Sequence, residues 1–181
     1  PDGRIWKAIS DGSLGADGGC EVVTPILRWE DMETLQEVVR ALRKAGAKAT
    51  SETSQHIHIG AQSFNPTQIA NFAKIFYKQE ELILKSLGTW EHRLGHYAKR
   101  TDRGLIERLN ATRQITNESL NKAWFGYLEL NPSHYESHRY RDLNLNNIWR
   151  TGTIEVRAAN GSTHAGEIKA NIILCLAIAA K

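Results

Sequence analysis

Two short segments, residues 55–60 (QHIHIG) and 152–158 (GTIEVRA), alternate polar and apolar side chains with a period of two. Only an extended chain sends successive side chains to opposite faces, so both are predicted strands. His56 and His58 share one face of the first, with Ile57 and Ile59 on the other. In the second, Thr153, Glu155 and Arg157 oppose Ile154 and Val156. Each strand therefore offers aliphatic groups to a core and keeps metal- or phosphate-competent groups on its second face. About a hundred residues separate the two segments.

The rest of the chain supplies helices to cover such a sheet. Residues 31–45 place Met32, Leu35, Val38, Val39 and Leu42 at three- and four-residue spacing, with Asp31 to cap the start and Gly46 the end. Asn65-Pro66-Thr67-Gln68 is a helix start with a cap, a proline at the first position and a glutamine three residues on. Its apolar stripe (Ile69, Phe72, Phe76, Ile83, Leu84, Leu87) runs to Gly88. A more polar middle, 89–138, is predicted to hold one helix near 105–123. A closing apolar helix is predicted over 165–180.

Residues 4–10 and 20–25 read as a hairpin joined by the glycine-rich loop 11–19, and 140–145 pairs with 153–158 as a second strand pair. A short strand is expected at 47–51. Alternation in most strands argues for an antiparallel sheet with helices on one face and a polar face left open, an α+β fold. That polar face is expected to collect Glu21, His56, His58, Asn144, Glu155 and Arg157.

At 181 residues, 41% hydrophobic and 24% charged, the chain is one domain's worth of an ordinary globular protein. A net charge of +3 suits an anionic ligand. No run of five like charges marks a nucleic-acid tail, and nucleic acid is not an expected partner. The longest apolar run, 172–180, is nine residues, too short to span a bilayer, so no membrane partner is expected. Two lone cysteines, Cys20 and Cys175, read as reduced and the protein as cytoplasmic. The chain begins at Pro1 and stops inside a helix-like stretch, as a domain cut from a longer protein would.

The polar face suggests a chemistry. Hard divalent cations such as Mg²⁺ take carboxylate and phosphate oxygens, which Glu21 and Glu155 on neighbouring strands would serve. Arg157 could fork onto a phosphate, and histidine can hold a phosphate or a metal. Nucleotide-dependent phosphoryl transfer uses this mixture. Each motif also has a plain structural reading: HxH as two half-exposed polar residues, Glu-x-Arg as a salt bridge. The glycine-rich loop lacks a P-loop's Gly-Lys-Ser/Thr ending.

The order of motifs resembles the amidoligase family, distant relatives of glutamine synthetase and glutamate–cysteine ligase among the carboxylate–amine ligases. The matching pieces are Ser10-Asp11-Gly12-Ser13-Leu14, Cys20-Glu21-Val22-Val23-Thr24-Pro25-Ile26-Leu27, His56-Ile57-His58-Ile59-Gly60, Arg93 with Tyr97-Ala98-Lys99, Arg139-Tyr140 with Leu143-Asn144-Leu145, and Thr153-Ile154-Glu155-Val156-Arg157. The resemblance implies a sheet curved into a glutamine-synthetase-like half-barrel binding ATP and Mg²⁺. It implies activation of a small-molecule or peptide carboxylate as an acyl phosphate, which an amine attacks to give an amide. It makes Glu21, Glu155 and His56 metal-side residues and sets His58 beside the nucleotide phosphates. Arg157 and Arg93, with His56, would act on the transferring phosphoryl group, and Tyr97, Arg139 and Asn144 would line the substrate side.

The family begins with a strand bearing a G-x-E-x-E-like pair of glutamates, and nothing before Arg4 can serve as that strand. The expectation is of a domain lacking that strand, with an incomplete metal site, an unpaired sheet edge and an activity left open. Two other classes compete with the ligase. One is a zinc hydrolase using His56, His58 and a carboxylate; the other is a non-catalytic binding module.

Overall fold

A computed structural model of the chain describes residues 3–12, 14 and 19–181. Residue 13 of the motif at 10–14 and more than half of the loop 11–19 thus lie outside the described residues. At the loop's ends the Asp11 amide donates to the Gly19 carbonyl. The fold is mixed α+β, and the chain divides into two compact units: Pro1–Ser54 with Gly161–Ala170, and Gln55–Asn160 with Asn171–Lys181.

In the first unit, β1 (Lys7–Ser10) and β2 (Cys20–Val23) form the expected antiparallel hairpin, with Ile9 opposite Glu21. A 3₁₀ turn, Trp29–Asp31, leads into α1 (Met32–Lys44). Met32, Leu35 and Val39 form its buried stripe. Asp31 does not cap α1 as expected. Its carboxylate accepts the Arg28 amide at 2.6 Å and a two-pronged Arg4 guanidinium at 2.6 and 2.7 Å, so its pKa sits far below the usual carboxylate range. Gly46, at φ +95°, ends the helix by letting the Ala47 amide reach back to the Leu42 carbonyl. No strand forms at 47–51; a turn closed by Thr50 and Thr53 occupies that end.

The second unit is built on a three-stranded antiparallel sheet in the order β3 (Ile57–Gly60), β5 (Thr153–Val156), β4 (Leu143–Asn144). Ile57, Ile59, Ile154 and Val156 point into a core with Phe72, Phe76, Leu105, Leu109, Leu120 and Trp124. Asn65 and Gln68 make the predicted reciprocal cap of α2 (Pro66–Lys78). The stripe that reads as one helix is broken at Gln79, and α3 (Glu80–Ser86) follows. There Glu80 turns inward to accept the Thr101 amide at 2.8 Å.

A short α4 (Glu91–Gly95) precedes α5 (Arg103–Ala111) and α6 (Asn117–Phe125), which replace the single helix expected at 105–123. The chain extends at Thr112, and Thr116 with Ser119 caps a fresh start. The strand predicted at 140–145 shrinks to β4, because Ser137–Tyr140 forms a 3₁₀ turn. The closing helix, α7 (Ala165–Ala179), sends Cys175 into the core. Among the described residues the strands form two small sheets where one curved sheet was expected.

Candidate functional site

Antiparallel register places His58 directly opposite Glu155, and Asn144 opposite Glu155 on the other side. One row of polar side chains thus crosses all three strands on the face away from the isoleucines. His56 and Arg157, two residues along their chains, fall on the same face by the same alternation. Here the sequence reading and the structure agree.

Glu155 is the centre of the row and only 2% exposed. Its Oε1 accepts Arg157 Nη1 at 2.7 Å and lies 3.4 Å from His56 Nδ1 and 3.7 Å from His58 Nε2. Its Oε2 accepts the amides of Asn144 at 2.6 Å and Asn147 at 2.9 Å. Burial alone would raise its pKa. The Arg157 cation, the two histidines and the Asn144 amide outweigh that and hold it below the ordinary carboxylate range. Burial first, then the Arg157 cation, pushes the His56 imidazole far below its usual range, so it is neutral at pH 7. His58 Nδ1 lies 3.0 Å from Thr153 Oγ1, which is 3.2 Å from Thr151 Oγ1.

Arg157 is fixed from every side. Its Nε donates to the Tyr97 carbonyl and its amide to the Asp142 carbonyl, while its own carbonyl accepts Arg93 Nη2 at 2.7 Å. Arg93, 2% exposed, therefore acts on the backbone that carries Arg157. Tyr97 is half exposed, and its ring meets Tyr140 edge-on. Arg139 stacks over that same Tyr140 ring and donates to the His134 carbonyl. Asn144 is fully buried and serves Glu155 where the resemblance set it on the substrate side.

Glu21 does not share this face. Its strand pairs with β1 in a separate two-stranded sheet, so Glu21 and Glu155 are not on neighbouring strands. Asn147 and Thr153 belong to the cluster. Alternation in the sequence already sets Thr153 on the Glu155 face, though it assigns it no role; Asn147 is not singled out there. Asn147 lies on a 3₁₀ turn, Asn146–Trp149, where no strand period points to it.

A sequence model of the family described as "putative amidoligase enzyme" matches residues 2–179. This chain belongs to the amidoligase family. A search of curated proteins and one of solved structures each found no match. Family membership covers nearly the whole chain and both polar strands of the site.

Whether this amidoligase's residues fit the magnesium that the resemblance implies can be tested on Glu155. A carboxylate offers about four lone-pair positions. Two on Oε2 carry amides, and Oε1 carries a guanidinium and faces the histidines. A divalent cation there would meet Arg157 at the same oxygen. Among the described residues no group of three His, Cys, Asp or Glu side chains is arranged to hold a metal. Glu155 as placed fits a guanidinium and does not fit a metal, which equally removes support for the zinc-hydrolase reading.

What the cluster can do is meet negative charge. The two Nη2 protons of Arg157 make no hydrogen bond among the described residues. No described helix is long and apolar enough to cross a membrane.

Proposed function

We propose that this amidoligase is an ATP-dependent carboxylate–amine ligase, with the Glu155 row as the place where charge is handled. The observation that carries the reading is Arg157, buried, oriented by Glu155, Tyr97 and Arg93, and set on a sheet face beside two histidines. A guanidinium held in advance costs no reorganisation when charge develops on a phosphoryl group.

The reaction would run in two steps. The substrate carboxylate attacks the γ-phosphorus of ATP, the bond to ADP breaks, and an acyl phosphate forms. An amine then attacks the acyl carbon, inorganic phosphate leaves, and the amine's proton passes to solvent. Arg157 would face the transferring phosphoryl oxygens, with His58 and the neutral imidazole of His56 as hydrogen-bonding neighbours. Arg93 would act through Arg157 by holding its carbonyl. The magnesium expected with ATP would travel on the nucleotide's own phosphates and neutralise their charge, since Glu155 is engaged. Two free cysteines are compatible with a reducing compartment, and a cytoplasmic site of action is part of the proposal.

Hydroxylamine tests this directly, because it captures an acyl phosphate as a hydroxamate. With ATP, Mg²⁺ and a panel of carboxylic acids, the protein is expected to release ADP and form a hydroxamate only with its own acid. ATP with Mg²⁺ should also raise Tm, since a ligand bound only by the native state stabilises it. R157Q is expected to lose the hydroxamate. Absence of any Tm shift at millimolar nucleotide, with no hydroxamate from any acid, would overturn the proposal.

A further inference from the structure

The Arg157 side chain makes two hydrogen bonds among the described residues: Nε to the Tyr97 carbonyl at 3.2 Å and Nη1 to Glu155 Oε1 at 2.7 Å. The N–H donors of a guanidinium lie in its plane. These two bonds therefore fix where the group sits, yet leave it able to tip about the line joining its two acceptors. Tipping would swing Nη2, whose protons have no partner among the described residues. A group set against the guanidinium face is what resists that motion.

The Tyr140 ring is such a group. Arg157 Cζ lies over it, 6.0 Å from the ring centre. A guanidinium at about 6 Å or less is attracted by the negative face of an aromatic ring. The ring is itself held. Tyr97 meets it edge-on at 6.4 Å, and Arg139 Cζ lies over it at 5.4 Å while donating to the His134 carbonyl. Its carbonyl accepts the Lys99 amide at 2.9 Å, and the Lys99 carbonyl accepts the Asp142 amide at 2.8 Å. Residues 97–99 thus hold both partners: the guanidinium through the Tyr97 carbonyl, and the backbone that carries the ring through Lys99. The Tyr140 hydroxyl makes no hydrogen bond among the described residues. The face of the ring is therefore the part that acts, and the phenol oxygen is not.

We infer that Tyr140 is a positioning residue for Arg157, its ring face holding the guanidinium plane so that the Nη2 protons keep one direction. The contact stands on geometry alone. Its consequence for catalysis rests on the ligase reading, in which Arg157 faces the transferring phosphoryl oxygens. Charge on those oxygens changes as the transition state forms. A guanidinium free to tip would have to reorganise at that moment, which slows the chemical step more than it weakens nucleotide binding.

Rotation about the Arg157 Nε–Cζ bond tests the contact without any substrate. That rotation exchanges Nη1 with Nη2 and sweeps them through the space the ring occupies. Nitrogen-15 exchange spectroscopy of the arginine side chains measures its rate, with the Arg157 signals assigned by their loss in R157Q. Y140L is expected to speed the rotation about tenfold or more, and Y140F to leave it within about twofold of wild type. Pentafluorophenylalanine placed at position 140 keeps the ring's size and reverses the charge of its face, so it should also speed the rotation. An unchanged rate with the fluorinated ring, or in a folded Y140L, would overturn the inference. In the hydroxamate assay Y140L should lose about tenfold or more in kcat with KM for ATP within about threefold, and Y140F should keep both. A raised KM with unchanged kcat, or a Y140F as slow as Y140L, would also overturn it. Absence of hydroxamate from the wild type would instead strike the ligase reading, and the rotation rates would still decide the role of Tyr140.

Discussion

Glu155 shows how a buried carboxylate stays ionised. Its two oxygens accept a guanidinium and two amides, and the Arg157 charge, the two histidines and the Asn144 amide outweigh the cost of burial. Removing one partner of such a pair strands the other charge. E155Q is therefore expected to cost about 3 kcal/mol of stability by urea denaturation, with Arg157 left without a counter-charge. R157Q should cost a similar amount. The double variant E155Q/R157Q should lose at least about 1 kcal/mol less than the two single losses combined, because neither charge is then orphaned. Additive losses would mean that the ion pair is not the unit described. At this scale the sequence was informative wherever a residue sits on a strand, since period-two alternation fixes the face of His56, His58, Glu155 and Arg157. It was silent on Asn147 and on the contacts of the Tyr140 ring, which depend on 3₁₀ turns.

Elements were legible where a cap or a glycine marks them, as at Asn65 and Gly46. They were misread where a buried polar group interrupts a pattern. Glu80 continues the apolar register of α2 in sequence, yet in the fold it accepts the Thr101 amide and an Arg100 guanidinium at 3.0 Å. Thr101 Oγ1 in turn donates to Asp142 at 2.7 Å, just before β4. This strap ties α3, residues 99–101 and β4 together, and the Asp142 carbonyl receives the Arg157 amide.

Burial and the nearby Glu80 charge push the Asp142 carboxyl well above the usual carboxylate range. The native state then holds this proton more tightly than the unfolded chain does. The stability it supports is full at acidic pH and is lost as pH rises through the native pKa. Wild-type Tm, followed from pH 5 to pH 9, is expected to fall relative to D142N, whose amide stays neutral and can donate to Glu80 at any pH. Parallel curves for the two proteins would show that Asp142 does not hold the proton.

Over the whole chain, the two compact units differ in how their strands are buried. Ile154 and Val156 of β5 are fully buried in the core of the second unit, which also takes in α2, α5, α6 and Cys175 of α7. Every residue of β1 is exposed, and β2 buries none, so its hydrogen bonds are open to water. Sequence alternation predicted both strand pairs equally well, because alternation reports a face and not what covers it. Local opening follows burial: backbone bonds in contact with solvent break at small free energies, and core strands open only with global unfolding. Hydrogen exchange followed by mass spectrometry is expected to show the β5 amides among the slowest in the chain and those of β1 and β2 among the fastest. The urea dependence should separate them further, with β5 exchange accelerating at the slope of global unfolding and hairpin exchange nearly independent of urea. If the hairpin were as protected as β5, a surface not seen as buried would have to cover it, and the division of stability between the units would be wrong. Peptides spanning residues 153–156 and 7–10 suffice for the comparison, and R157Q adds a second reading. Loosening the end of β5 should raise exchange at residues 153–156 and leave residues 7–10 unchanged.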